Sequence, residues 1–226
     1  MTLRNNAKNT TLPGYSRKQE IFNFVSHLVG IPLALFIFFF GLYLFNNQKI
    51  SGLAFSGLII FSLSALIVYL FSSIYHITKS ESSYKKKLRI VDHCTIYLLI
   101  AGTYTPVSFA LLRPGHPMSL GVFMLVFQWT GVIIGFVLNA FFFHNKVSRI
   151  ISFVLYVLMG WLAVLCGATF HISLMSFLFI LIGGIIYTIG SILYAFGHGW
   201  KWFHCIFHIF VLFGTIIQTI GVFLLY

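Results

Sequence analysis

Acidic residues are almost absent from this chain of 226 residues. Only three occur, Glu20, Glu81 and Asp92, against fourteen lysines and arginines. Charged residues make up 8% of the sequence, whereas a soluble domain carries about 25%. Hydrophobic residues make up 59%, and the mean hydropathy is +0.98. This composition excludes an ordinary soluble domain and predicts an integral membrane protein.

The scarcity of cysteine and the placement of the basic residues exclude two further classes. Cys94, Cys166 and Cys205 all fall inside apolar segments, so the sequence indicates no disulfide framework. The net charge of +11 does not indicate nucleic-acid binding, because the basic residues lie in short loops between apolar runs. The expected partners are therefore membrane lipids, as surroundings and as candidate substrate, and an oligomer is compatible with the sequence.

Seven apolar segments follow a polar, basic tail over residues 1–20. Each is long enough to cross a hydrocarbon core at about 1.5 Å per residue, and the first lacks the small-residue cleavage site of a signal peptide. We therefore predict an all-α membrane protein, a single seven-transmembrane helix bundle over residues 21–226. The segments, called the first to seventh spans below, are predicted at residues 21–45, 51–77, 90–112, 117–140, 148–167, 171–196 and 203–225.

The basic residues also predict how the bundle is oriented. Twelve of the fourteen lie in the N-terminal tail or in the second, fourth and sixth loops, and only Lys49 and Arg113 lie on the other side. The positive-inside rule then places the N-terminus in the cytoplasm and the C-terminus outside. A chain of this size without a cleaved signal suits a multi-pass protein of a bacterial inner (plasma) membrane.

Three histidines and a carboxylate share one predicted layer near the cytoplasmic side. His76 ends the second span, Asp92 begins the third, and His204 begins the seventh, each roughly 4–5 Å inside the nearest basic loop residue. His208 lies one helical turn deeper, on the same face as His204. Three imidazoles with one open position form the ligand set of a catalytic Zn²⁺ site, and Asp92 is placed to hold or deprotonate water there.

Other polar residues are predicted to surround this layer. Ser72 lies four residues before His76, on the same helix face, and could orient the histidine or a substrate oxygen. Glu20, Asn23 and His27 form one polar stripe on the first span, which must face protein or water rather than lipid. We expect the residues of this stripe to contact the metal ligands rather than the metal itself.

Simpler interpretations stay open for each residue alone. An isolated histidine near a membrane interface is more often a packing residue than a ligand, and Asp92 could pair with Arg89 as a helix-start ion pair. His93 lies about 100° round the helix from Asp92 and is left out of the site. The convergence of these residues at one depth favours a shared metal site.

The sixth span carries a separate pattern. Gly183, Gly190 and Gly197 predict a small-residue seam for helix packing.

Together these motifs resemble the hemolysin III family, the bacterial branch of the progestin and adipoQ receptor group, over essentially the whole chain. The matching motifs are Glu20-x-x-Asn23-x-x-x-His27, Ser72-x-x-x-His76, the run from Asp92 to Pro106, and His204-x-x-x-His208. The resemblance implies zinc near the cytoplasmic side, with His76, His204 and His208 as ligands and Asp92 contacting the water on the zinc. The group is also similar to alkaline ceramidases, which hydrolyse a lipid amide.

Three functional hypotheses follow. The preferred one is a zinc-dependent membrane hydrolase, in which Asp92 acts as general base on a lipid amide or ester. The second is a pore-forming cytolysin, which the family name implies. The spans carry few polar groups outside the cytoplasmic layer, which argues weakly against a pore within one chain. The third is a membrane-homeostasis sensor, in which the zinc is structural.

Overall fold

Seven helical spans form the protein, as the apolar segments predict. The computed structural model describes residues 6–7, 9–196 and 202–226, and all regular elements within these residues are helices. The boundaries agree with the predicted ones to within a few residues. The spans run over Arg17–Asn46, Gly52–Ile77, Lys85–Leu111, Met118–Phe142, Lys146–Leu165, Leu174–Phe196 and Phe203–Phe223. Lys201, which belongs to the predicted basic side, lies outside the described residues.

The first span is broken at Val29 into two helices, Arg17–Leu28 and Gly30–Asn46. The break has a local cause, because Pro32 has no N–H to donate to the carbonyl group four residues earlier. Gly30 lets the chain pass the ring of Tyr69, since a Cβ atom there would lie 2.4 Å from Tyr69 Cδ1. The N-terminal helix packs its polar stripe against the second and seventh spans.

The third span occupies the centre of the bundle. It is the most buried of the seven, and it packs along the second span on one side and the fourth span on the other. Pro106 lies inside this helix, and the hydroxyl group of Tyr226 donates a hydrogen bond of 2.8 Å to the Pro106 carbonyl oxygen. The C-terminus is thereby tied to the middle of the bundle. The N-terminal end of the third span is the end that carries Asp92.

The sixth span packs almost entirely on the seventh and barely touches the fifth. It follows a turn in which Gly167 has a φ of 72° and begins a short 3₁₀ helix, Ala168–His171. The predicted glycine seam is confirmed for its described part, because added Cβ atoms at Gly183 and Gly190 would lie 2.3 Å from Gln218 Cγ and 2.6 Å from Phe210 Cβ. Gly197 lies outside the described residues. The fifth and sixth spans make few contacts, one of which is a hydrogen bond of 3.0 Å from Trp161 Nε1 to Thr188 Oγ1.

Two adjacent glycines of the sixth span provide a test of this packing. Gly183→Ala should lower stability by about 1–3 kcal/mol, because the new methyl group would also lie 3.1 Å from the backbone oxygen of Gly214. Gly184→Ala is the matched control, since its nearest neighbour would be 4.0 Å away. Thermal unfolding in detergent measures both. Equal melting temperatures for the two variants would contradict the close sixth–seventh packing.

Candidate metal centre

Three histidine side chains from two spans meet at the end of the bundle that carries the N-terminal tail, called the basic end below. His204 Nε2 lies 3.3 Å from His76 Nε2 and 3.1 Å from His208 Nε2. One nitrogen from each residue lies within 4.8 Å of the other two, and all three residues are buried. This three-histidine cluster could hold a metal ion. The predicted grouping of His76, His204 and His208 is therefore present in the structure.

Glu20 fixes the orientation of His76. Its Oε2 atom lies 2.6 Å from His76 Nδ1, which leaves the lone pair of Nε2 for a metal. The other carboxylate oxygen pairs with Lys85 Nζ at 2.9 Å. Lys85 is almost fully buried and also donates to the carbonyl oxygens of Tyr75 and Thr78, at 2.7 and 2.8 Å. One carboxylate thus joins the first span to the end of the second and the start of the third.

The rest of the polar stripe supports His208. Ser26 Oγ lies 3.5 Å from His208 Nδ1 and donates to the carbonyl oxygen of Asn23, so its own oxygen remains free to accept. The ring of His27 stacks on the ring of His208, with centroids 3.7 Å apart. The side chain of Asn23 is fully buried, and its amide atoms have no hydrogen-bond partner in the described part of the chain. Asn23 therefore contributes to this support through its backbone.

His204 is held differently from the other two histidines of the cluster. Its Nδ1 atom has no hydrogen-bond partner among the described residues. Its ring lies between two tyrosines instead. Tyr15 stacks on it with a centroid distance of 5.0 Å and an interplanar angle of 10°, and Tyr194 lies 5.3 Å away at 51°. Burial raises the pKa of Tyr15 well above its ordinary value, so this ring stacks as a neutral phenol.

Asp92 and Ser72 lie beside the cluster, on the wall of a cavity of about 190 Å³ that His204 and His208 also line. Asp92 is buried, and the Ser72 hydroxyl group is close enough to interact with its carboxylate. Ser72 Oγ makes no regular hydrogen bond within the described residues, so it can serve a bound molecule. The mainly apolar cavity runs between the third, fifth, sixth and seventh spans as far as Gln218.

Sequence reasoning missed four residues around this centre. The sequence places Lys85 among the basic residues of the second loop, but in the structure it is buried and pairs with Glu20. His93, left out of the predicted site, lines the cavity together with Asp92. Ser26 and Tyr15 contact ligands without belonging to the polar stripe. Only Ser26 carried a usable signal, because it lies three residues after Asn23 on the same helix face.

Comparison with known proteins identifies the family. The family model described as "Haemolysin-III related" matches residues 15–219. The chain belongs to this family. It is 34% identical over 206 residues to "Hemolysin-3 homolog" of Bacillus subtilis (strain 168), covering 89% of the chain and 91% of the relative. It is 32% identical over 203 residues to "Hemolysin-3" of Bacillus cereus, with 88% and 87% coverage. This haemolysin-III family member is a multi-pass protein of the bacterial plasma membrane.

The Glu20 carboxylate should be needed for the stability of this haemolysin-III family member. Glu20→Gln should lower the free energy of unfolding by about 1.5–3 kcal/mol, because the buried Lys85 ammonium loses its charged hydrogen-bond partner. Glu81→Gln, in an exposed loop on the same side of the bundle, is the control and should change little. Thermal unfolding in detergent gives the comparison. A Glu20→Gln variant as stable as the control would contradict this role.

Proposed function

We propose that the protein is a zinc-dependent membrane hydrolase that cleaves a lipid amide or ester. The spacing of the three histidine nitrogens carries this proposal. Tetrahedral zinc with Zn–N bonds of about 2.0–2.1 Å requires ligand nitrogens about 3.3 Å apart. Two of the three separations, 3.3 and 3.1 Å, fit this requirement, and all three nitrogens lie within 4.8 Å of one another. The hydrogen bond from His76 to Glu20 is also the support that zinc-binding histidines normally have.

The residues beside the cluster have suitable roles in hydrolysis. Zinc held by the three histidines would make water more acidic and polarise the substrate carbonyl group. The carboxylate of Asp92 accepts the proton of the attacking water, whose oxygen bonds to the acyl carbon. The C–N or C–O bond then breaks, and Asp92 returns the proton to the departing nitrogen or oxygen. Ser72 is placed to hold the substrate oxygen or to orient Asp92.

The shape of the cavity favours a lipid as the substrate. Val157 and Trp161 of the fifth span and Tyr187 of the sixth line its walls, and these two spans barely touch. An acyl chain could enter sideways from the bilayer between these loosely packed spans, if the hydrogen bond from Trp161 to Thr188 opens. The carbonyl group would then reach the polar end of the cavity, where Asp92 and His204 lie. A water-soluble substrate would leave most of this apolar surface without a partner.

Metal analysis tests the first part of this proposal. The purified wild-type protein should contain about one zinc ion per chain, as expected for three imidazole ligands with one open position. His208→Ala should bind close to none, because two histidines remain. His116→Ala is the control, since His116 lies in the loop at the opposite end of the bundle and should leave the zinc content unchanged. A folded wild-type protein without zinc, or a His208→Ala variant that keeps it, would contradict the assignment.

Turnover tests the role of Asp92. Asp92→Asn should keep its zinc but lose about 10²–10⁴-fold in hydrolysis rate, because the amide cannot accept the proton. The probe is a panel of fluorescent short-chain lipid amides and esters in detergent micelles, and Glu81→Gln serves as the control. An Asp92→Asn variant with wild-type turnover would remove the general base. Zinc binding without turnover in the wild type would instead favour a sensor with structural zinc.

Cytolysis is a second candidate, because the similar Bacillus cereus protein is named "Hemolysin-3". Purified protein would then release a dye from liposomes. Pore formation needs no proton acceptor, so Asp92→Asn should leak like the wild type. Dye release that depends on Asp92 would tie any membrane damage to lipid hydrolysis instead.

A further inference from the structure

The N-terminal tail packs across the basic end of the bundle and is held there by hydrogen bonds. The side chain of Asn6 is fully buried and donates two hydrogen bonds of 2.8 Å, to the carbonyl oxygens of Asn139 and Ala140. Its Oδ1 atom lies 2.9 Å from His144 Nδ1. Asn6 therefore caps the C-terminal end of the fourth span, a position where helix carbonyl groups otherwise lack partners.

The middle of the tail is also held in place. Thr10 is buried, and its hydroxyl group donates to the carbonyl oxygen of Asn6 at 2.9 Å. Arg89, one turn before Asp92, donates to the carbonyl oxygen of Thr11. Ala7 packs in an apolar cluster with Ile90 of the third span. The tail thus crosses from the end of the fourth span to the start of the third.

Towards its C-terminal end, the tail contacts His204 of the three-histidine cluster through Tyr15. Tyr15 stacks flat on His204, and its ring centroid also lies 6.3 Å from the ring centroid of His76. Ligating histidines are normally oriented by a hydrogen bond to the second ring nitrogen. His76 has this bond to Glu20, whereas His204 has none within the described residues. Ring contacts take its place: Tyr15 of the tail stacks on His204, and Tyr194 of the sixth span contacts it at a tilt.

We propose that residues 6–7 and 9–16 form a strap that closes the basic end of the metal centre, and that Tyr15 is a positioning residue for His204. The identity of the ion as zinc rests on the proposed function, but the strap itself rests on the contacts above. With the strap in place, the ligand ring is fixed and the shortest path from the three-histidine cluster to the aqueous side is covered. With the strap released, His204 can turn away and the metal can exchange.

The rate of zinc release tests the strap. Tyr15→Ala and Asn6→Ala should each release zinc to an excess of chelator about tenfold faster than the wild type, the lower end of effects seen for supporting residues. Tyr15→Phe keeps the stacking and should behave like the wild type. Lys18→Ala, at an exposed position just beyond the strap, is the control. Wild-type release rates for both Asn6→Ala and Tyr15→Ala would overturn the proposal.

A second measurement needs no metal. His204→Cys, in a chain whose three native cysteines are replaced by alanine, places a thiol directly beneath Tyr15. A water-soluble maleimide should label this thiol slowly, and the addition of Asn6→Ala should speed labelling several-fold. Labelling that is equally fast with and without Asn6→Ala would contradict the strap. If the wild type binds no zinc, the proposed hydrolase fails, yet this labelling still decides whether the tail covers the site.

Discussion

A charged group inside a bilayer must find its partner within the protein, and the Glu20 carboxylate meets this requirement for two neighbours at once. It accepts from His76 Nδ1 at 2.6 Å and pairs with the buried Lys85 ammonium at 2.9 Å. A lone ion at this depth would cost several kcal/mol. Because Lys85 in turn binds carbonyl oxygens at the end of the second span, the ion pair also fixes the helix end that carries His76. The metal centre depends on this link.

The short N-terminal helix of the first span contacts two of the three candidate metal ligands. It contacts His76 through Glu20 and His208 through Ser26 and His27, although these two ligands belong to different spans. These contacts come from one face of the helix, which is buried against both spans.

The sequence was sufficient to predict the seven spans and the meeting of His76, His204 and His208, because hydropathy fixes span limits and loop charges fix depth. It could not predict Lys85, whose burial depends on how the second loop folds back over a helix end. It excluded His93 because His93 lies about 100° round the helix from Asp92. The cavity, however, is lined from several spans, and His93 lies on its wall as Asp92 does. Tyr15 was missed because a polar tail carries no periodic signal that predicts where it packs.

The cavity is closed to different degrees at the basic end and along its side, and this difference suits the hydrolysis proposed above. At the basic end, the tail and the Glu20–Lys85 pair cover the three-histidine cluster. Along the side, the sixth span packs mainly on the seventh and makes few contacts with the fifth. Lipid access thus needs no movement of the metal ligands, because the fifth and sixth spans carry none of the three histidines. Sideways movement of the sixth span could admit a lipid while the first span keeps His76 and His208 in position.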